Sequence, residues 1–105
     1  MLRYVLDSSS RPKPSLSTYD GNLSAKGLID WIGELDIYFD YEEVEEDKKV
    51  KLVVKRIKGH VALWWDSVQV ERKKKNKVVI KSRDRMVAKM RGKFLPKDYQ
   101  LGLYK

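Results

Sequence analysis

The sequence predicts an all-α fold, a small bundle of about four short helices. Apolar residues recur at helical spacing in four separate stretches. Cap and stop residues sit at the ends of those stretches, and the links between them are short.

The first helix is expected from about Ser24 to Tyr41. Leu28, Trp31, Ile32, Leu35, Tyr38 and Phe39 fall at i, i+3, i+4, i+7, i+10 and i+11, one wide apolar stripe. Ser24 offers an N-cap oxygen. Gly27 and Gly33 weaken the helix by up to ~1 kcal/mol each. The acidic run Glu42–Asp47 then gives the second helix a negative first turn. That helix is expected over Glu46 to Lys58, with Val50, Val53, Val54 and Ile57 inward. Lys51, Lys55, Arg56 and Lys58 load its end with positive charge, and Gly59 is its expected stop. The third helix is expected over His60 to Arg72. Ala62, Trp65 and Val68 point inward, with Val61 and Trp64 beside them. The run Lys73–Lys77 breaks the pattern, and Val78-Val79-Ile80 reads as an extended connection or brief strand. The fourth helix opens at Ser82 and carries Met86, Val87, Met90 and Phe94. Leu95-Pro96 ends it, because a residue before proline avoids the helical region. The expected core is Leu28, Trp31, Ile32, Leu35, Phe39, Val50, Val54, Ile57, Ala62, Trp65, Val68, Met86, Met90 and Phe94.

At 105 residues the chain has room for one domain of modest stability. Residues 1–18, with Ser8-Ser9-Ser10 and Pro12-Lys13-Pro14, read as a flexible N-terminal arm. Tyr19-Asp20-Gly21-Asn22 reads as a turn. Residues 19–96 form the helical domain and 97–105 a C-terminal tail.

Composition narrows the chemistry. With no cysteine there is no disulfide, no thiolate nucleophile and no zinc site built on Cys. His60 is the single histidine, too little for a His-based cluster. No run reaches the roughly 18 apolar residues of a membrane span. The first residues lack a signal-peptide core. An intracellular, cytoplasmic protein with no membrane partner is expected. No Ser or Cys neighbours His60 as a nucleophile would, and the glycines have no phosphate-cradling spacing. The expectation is a non-enzyme with no cofactor, no metal and no small-molecule substrate.

Charge is unevenly placed. The net charge is +8, yet residues 1–47 carry 4 Lys/Arg against 11 Asp/Glu, and residues 48–105 carry 19 against 4. Such polarity suits head-to-tail contact between copies, or a basic face toward nucleic acid. Lys73, Lys74, Lys75 and Lys77 are the candidate RNA contacts. Lysines on phosphate would give salt-sensitive binding without sequence reading. Trp31, Trp64 and Trp65 could stack on bases, but they lie on apolar stripes, which favours a core role.

A set of these residues in order carries a resemblance. It runs Tyr19-Asp20-Gly21, Leu28-Ile29-Asp30-Trp31-Ile32, Tyr38-Phe39, Lys49-Val50-Lys51-Leu52, Ile57-Lys58-Gly59-His60-Val61-Ala62-Leu63-Trp64-Trp65, and Phe94-Leu95-Pro96. Over about residues 16–100 this resembles the Gag domain of gypsy-type retrotransposons. The resemblance implies a retroviral-capsid-like N-terminal lobe that self-associates into virus-like particles enclosing RNA. Its partners would be other Gag copies and, nonspecifically, RNA. A domesticated relative of that family binds short peptides in a groove of the same lobe, so a peptide-binding adaptor is an alternative role. Two departures concern extent. The sequence covers the first lobe only, and it lacks the cysteines of a zinc knuckle. A fragment, a decayed copy and a domesticated remnant all fit. A third departure is Arg83, where the family usually has Trp. At the head of the last stripe an arginine is expected to be buried unpaired or to snorkel outward, loosening the helix start. On that reading Arg83→Trp raises the melting temperature.

Overall fold

The structure, a computed structural model, describes residues 14–97. Residues 1–13 of the expected arm and residues 98–105 of the expected tail lie outside the described residues. Four helices follow in order: α1 (Ala25–Tyr41), α2 (Glu46–Val54), α3 (Gly59–Lys74) and α4 (Arg83–Phe94). They pack as a small all-α bundle around one apolar cluster.

The two serine caps form as the sequence suggests. Ser24 Oγ accepts from the Gly27 N–H at 3.0 Å, and Ser82 Oγ accepts from the Arg85 N–H at 3.2 Å. The second helix is shorter than expected and stops at Val54. A continued helix would aim the Lys58 N–H at Val54. Instead it donates to the Tyr19 carbonyl at 2.9 Å, while the Tyr19 N–H donates to the Arg56 carbonyl at 2.8 Å. Ile57 is therefore buried in this parallel bridge, not on a helical face. The third helix is longer than expected and runs through Lys74. It closes at Asn76, whose φ of 59° lies in the left-handed region that Asn tolerates.

Residues ahead of α1 are drawn into the fold. Leu16 and Tyr19 are buried. The Trp31 indole donates to the Ser17 carbonyl at 2.9 Å, and the Ser17 hydroxyl donates to Glu34 at 3.0 Å. The end of the expected arm thus packs along α1. The connection from α3 to α4 is not a strand. Its inward residue, Ile80, is held by a side chain: Ile80 N–H donates to Gln69 Oε1 at 2.9 Å, and Gln69 Nε2 donates to the Ile80 carbonyl at 3.0 Å.

Ten of the expected core positions are buried: Leu28, Trp31, Ile32, Leu35, Phe39, Val50, Ile57, Trp65, Met86 and Met90. Ala62, Val68 and Phe94 are half-buried against that cluster. Val54 is a correction: it is 40% exposed, and Val53 takes the inward place. In α3 the deepest residue is Val61, one position before the expected Ala62. Val87, Ile80, Leu95, Leu16 and Tyr19 complete the core.

Arg83 is also corrected, since it is neither unpaired nor loose. Its guanidinium donates to both Asp36 oxygens, Nε at 2.9 Å and Nη2 at 2.5 Å, and Nη1 donates to Asp84 at 3.0 Å. Its backbone N–H points to Glu46 at 3.4 Å. Burial alone would lower the Arg83 pKa, but the hydrogen bonds and charges of Asp36 and Asp84 outweigh it and raise the net value. A fork on a carboxylate fixes α4 to α1 by geometry as well as charge. The expected gain from Arg83→Trp no longer follows, because that change breaks this pair. Arg83→Met is expected to lower stability by about 1 kcal/mol, since half-exposed Asp36 is screened by solvent. Asp36→Asn should cost a similar amount, and the double variant little more than either. Urea melts of the four proteins measure that coupling. Fully additive losses would show the pair to be energetically idle.

Candidate interaction surfaces

Three surfaces gather the side chains left outside the core. The first is the outer face of α1. Asp30, Gly33, Ile37, Asp40 and Tyr41 are all exposed and lie on one side of the helix at spacings of three or four. Ile37 is 60% exposed and Tyr41 41%. Gly33 has no heavy atom near the space a side chain would fill, so the ridge is flat beside Ile37. Asp30 and Asp40 flank it, and Asp30 is ion-paired with Lys26 at 3.1 Å.

The second is a groove of about 660 Å³ between α2, α3 and the α3–α4 connection. Val50, Val54, Trp65 and Ile80 give it an apolar lining, with Lys51, Lys55 and Lys81 among its other residues. All three lysines are exposed. Gln69, which clamps Ile80, also lines it. Exposure of Val54 belongs to this groove and accounts for its departure from the core.

The third is a basic hollow of about 370 Å³ at the end of α3. Here the structure divides the four lysines expected to meet RNA. Lys75 and Lys77 line the hollow with Arg72 and Lys89, whereas Lys73 and Lys74 do not. Lys75 is ion-paired with Glu71 at 3.5 Å, and Arg72 Nε donates to the Val78 carbonyl at 2.7 Å. Lys89, from α4, was not singled out by sequence, because helical spacing says nothing of which helix end faces another.

The tryptophans divide as well. Trp31 and Trp65 are buried, and Trp64 is half-buried, with its ring 5.2 Å from Phe94 and 5.8 Å from Trp65. His60 is exposed at the start of α3 and sits edge-on to Phe94 at 6.2 Å. Among the described residues, no three His, Asp or Glu side chains are grouped as metal ligands. Burial, with the Asp20 charge adding, pushes the Tyr19 phenol above its ordinary value and keeps it neutral in the core. No described helix is long and apolar enough to cross a membrane.

These features define a small all-α domain with an acidic apolar ridge, an apolar groove carrying lysines and a basic hollow. Compared with family models, curated proteins and solved structures, the chain matches none.

Proposed function

We propose that this chain is a structural, self-associating lobe of the kind found at the N-terminus of gypsy-type Gag capsids, and not an enzyme. Six of the residues that carry the resemblance serve as architecture: Tyr19, Trp31, Phe39, Ile57, Trp65 and Leu95 are all buried. The surface is then left for contact between copies. The observation that carries the reading is a polarised chain whose two halves each leave apolar side chains in water. Ile37 is 60% exposed in the acidic half, and Leu63 and Val78 are 69% and 73% exposed in the basic half. Covering such side chains is favourable, and opposite charge orients the copies.

A second reading, nonspecific RNA contact, draws on the convergence of Lys75, Lys77, Arg72 and Lys89 around the hollow. Light scattering across protein concentration, at low and high salt and with and without RNA, tests both. Self-association gives a mass that climbs with concentration and falls as salt is raised. RNA contact gives extra mass that salt removes. A monomer mass constant under every condition would overturn both.

A further inference from the structure

We infer that copies join head to tail, with the α1 ridge of one copy seated in the groove between α2, α3 and the connection of the next. This rests on the self-association reading and names its two faces. Ridge and groove are complementary in both shape and charge. Ile37 and Tyr41, one helical turn apart, project from a helix that Gly33 leaves flat, and the groove offers exposed Val54 to receive them, its lining completed by half-buried Val79 and the buried Trp65 and Ile80. The carboxylates of Asp40 and of Asp30, the latter paired with Lys26, flank the ridge, while Lys51, Lys55 and Lys81 outnumber Asp47 in the groove. Among the described residues, none of these three lysines takes part in an ion pair or side-chain hydrogen bond, so each keeps its charge free for a partner. An acidic partner surface with an apolar centre is what such a groove selects. The acidic half of the same sequence supplies one.

The two faces are different patches of one chain, so the contact is heterologous and propagates from copy to copy. That arrangement has a distinctive test. Ile37→Asp removes the ridge and leaves the groove. Lys51→Glu with Lys55→Glu removes the groove charge and leaves the ridge. All three side chains are exposed, so both variants should keep the wild-type circular dichroism. Ile37→Asp should also keep the melting temperature, while the double lysine variant should lose a little of it, because both charges sit at the C-terminal end of α2. Light scattering should find each variant monomeric at concentrations where the wild type grows. Mixed in equal amounts, they should form a 1:1 dimer and stop there, because only one intact ridge and one intact groove remain.

Wild-type growth with equal growth in both variants would overturn this pairing and leave self-association standing on other faces. Monomeric variants that stay monomeric on mixing would also overturn it, in favour of a symmetric contact. A wild type that never grows would overturn the pairing and the functional reading together.

Discussion

Trp31→Ala is expected to remove most of the stability of the domain. The indole is 1% exposed, its N–H is bonded to the Ser17 carbonyl at 2.9 Å, and its ring lies 5.2 Å from Tyr19. Truncating a buried Trp to Ala costs about 3–5 kcal/mol through lost burial and the cavity left behind. Total stability of a small domain is about 5–15 kcal/mol, and a chain of this length belongs near the lower end. The loss also spreads. Without the indole, residues 16–19 lose their buried anchor on α1 and keep there the exposed Ser17–Glu34 hydrogen bond, while the Tyr19 backbone still bridges to Arg56 and Lys58. Trp31→Phe separates packing from bonding. It keeps an aromatic ring against Tyr19 and gives up the hydrogen bond, at about 1 kcal/mol plus the lost ring volume. Urea unfolding followed by circular dichroism ranks the three proteins. A Trp31→Ala midpoint close to the wild type would show that the segment before α1 is not part of the core.

Why α1 could be read and α2 could not is a matter of length and phase. Over 17 residues, the stripe from Leu28 to Phe39 admits a single inward face, and all five of its expected core residues are buried. The second helix has 9 residues and valines at 50, 53 and 54, which fit two faces equally well. Val53 faces inward, and the helix ends where it does because Tyr19, far back in the chain, takes the Lys58 N–H. No local pattern contains that partner. The same holds for Tyr19 itself, which reads as a turn residue and is 2% exposed. Arg83 shows the converse error. Apolar spacing puts it on the inner stripe, and only the tertiary placement of Asp36, on another helix, converts a buried liability into a fork. Of the four lysines in the run, Lys75 and Lys77 line the hollow and Lys73 and Lys74 do not, a division that depends on how α3 ends and not on local composition. The ridge was written in α1 all along as the complement of its stripe. The groove needs three elements brought together and had no sequence signal beyond the choice between Val53 and Val54.

Gln69→Ala is expected to lower stability by about 2–3 kcal/mol, far more than a half-buried polar side chain usually carries. Its amide makes both hydrogen bonds of the Ile80 backbone, at 2.9 and 3.0 Å, where Ile80 is 3% exposed. Removing it leaves a buried donor and a buried acceptor without partners, each a penalty of about 1–3 kcal/mol less what water recovers. Gln69→Glu tests the chemistry. The ionised carboxylate accepts from the Ile80 N–H but repels the Ile80 carbonyl. The protonated acid restores a donor and with it the second bond. The neutral form is thus favoured in the folded state, so the folded protein binds more protons than the unfolded chain. Stability of this variant must therefore rise, relative to the wild type, as pH falls through the carboxyl titration. Urea midpoints of both proteins at neutral and mildly acidic pH measure that difference. A difference that stays constant with pH would show that Gln69 acts by filling space and not by bonding. Exchange of the Ile80 amide gives a local reading, since it should quicken in Gln69→Ala and stay slower in Gln69→Glu, whose carboxyl oxygen still accepts from that N–H. Gln69 and Ile80 also line the groove. Loosening them should weaken head-to-tail mass growth even where Ile37, Lys51 and Lys55 are intact, which links the stability of the connection to the contact it presents.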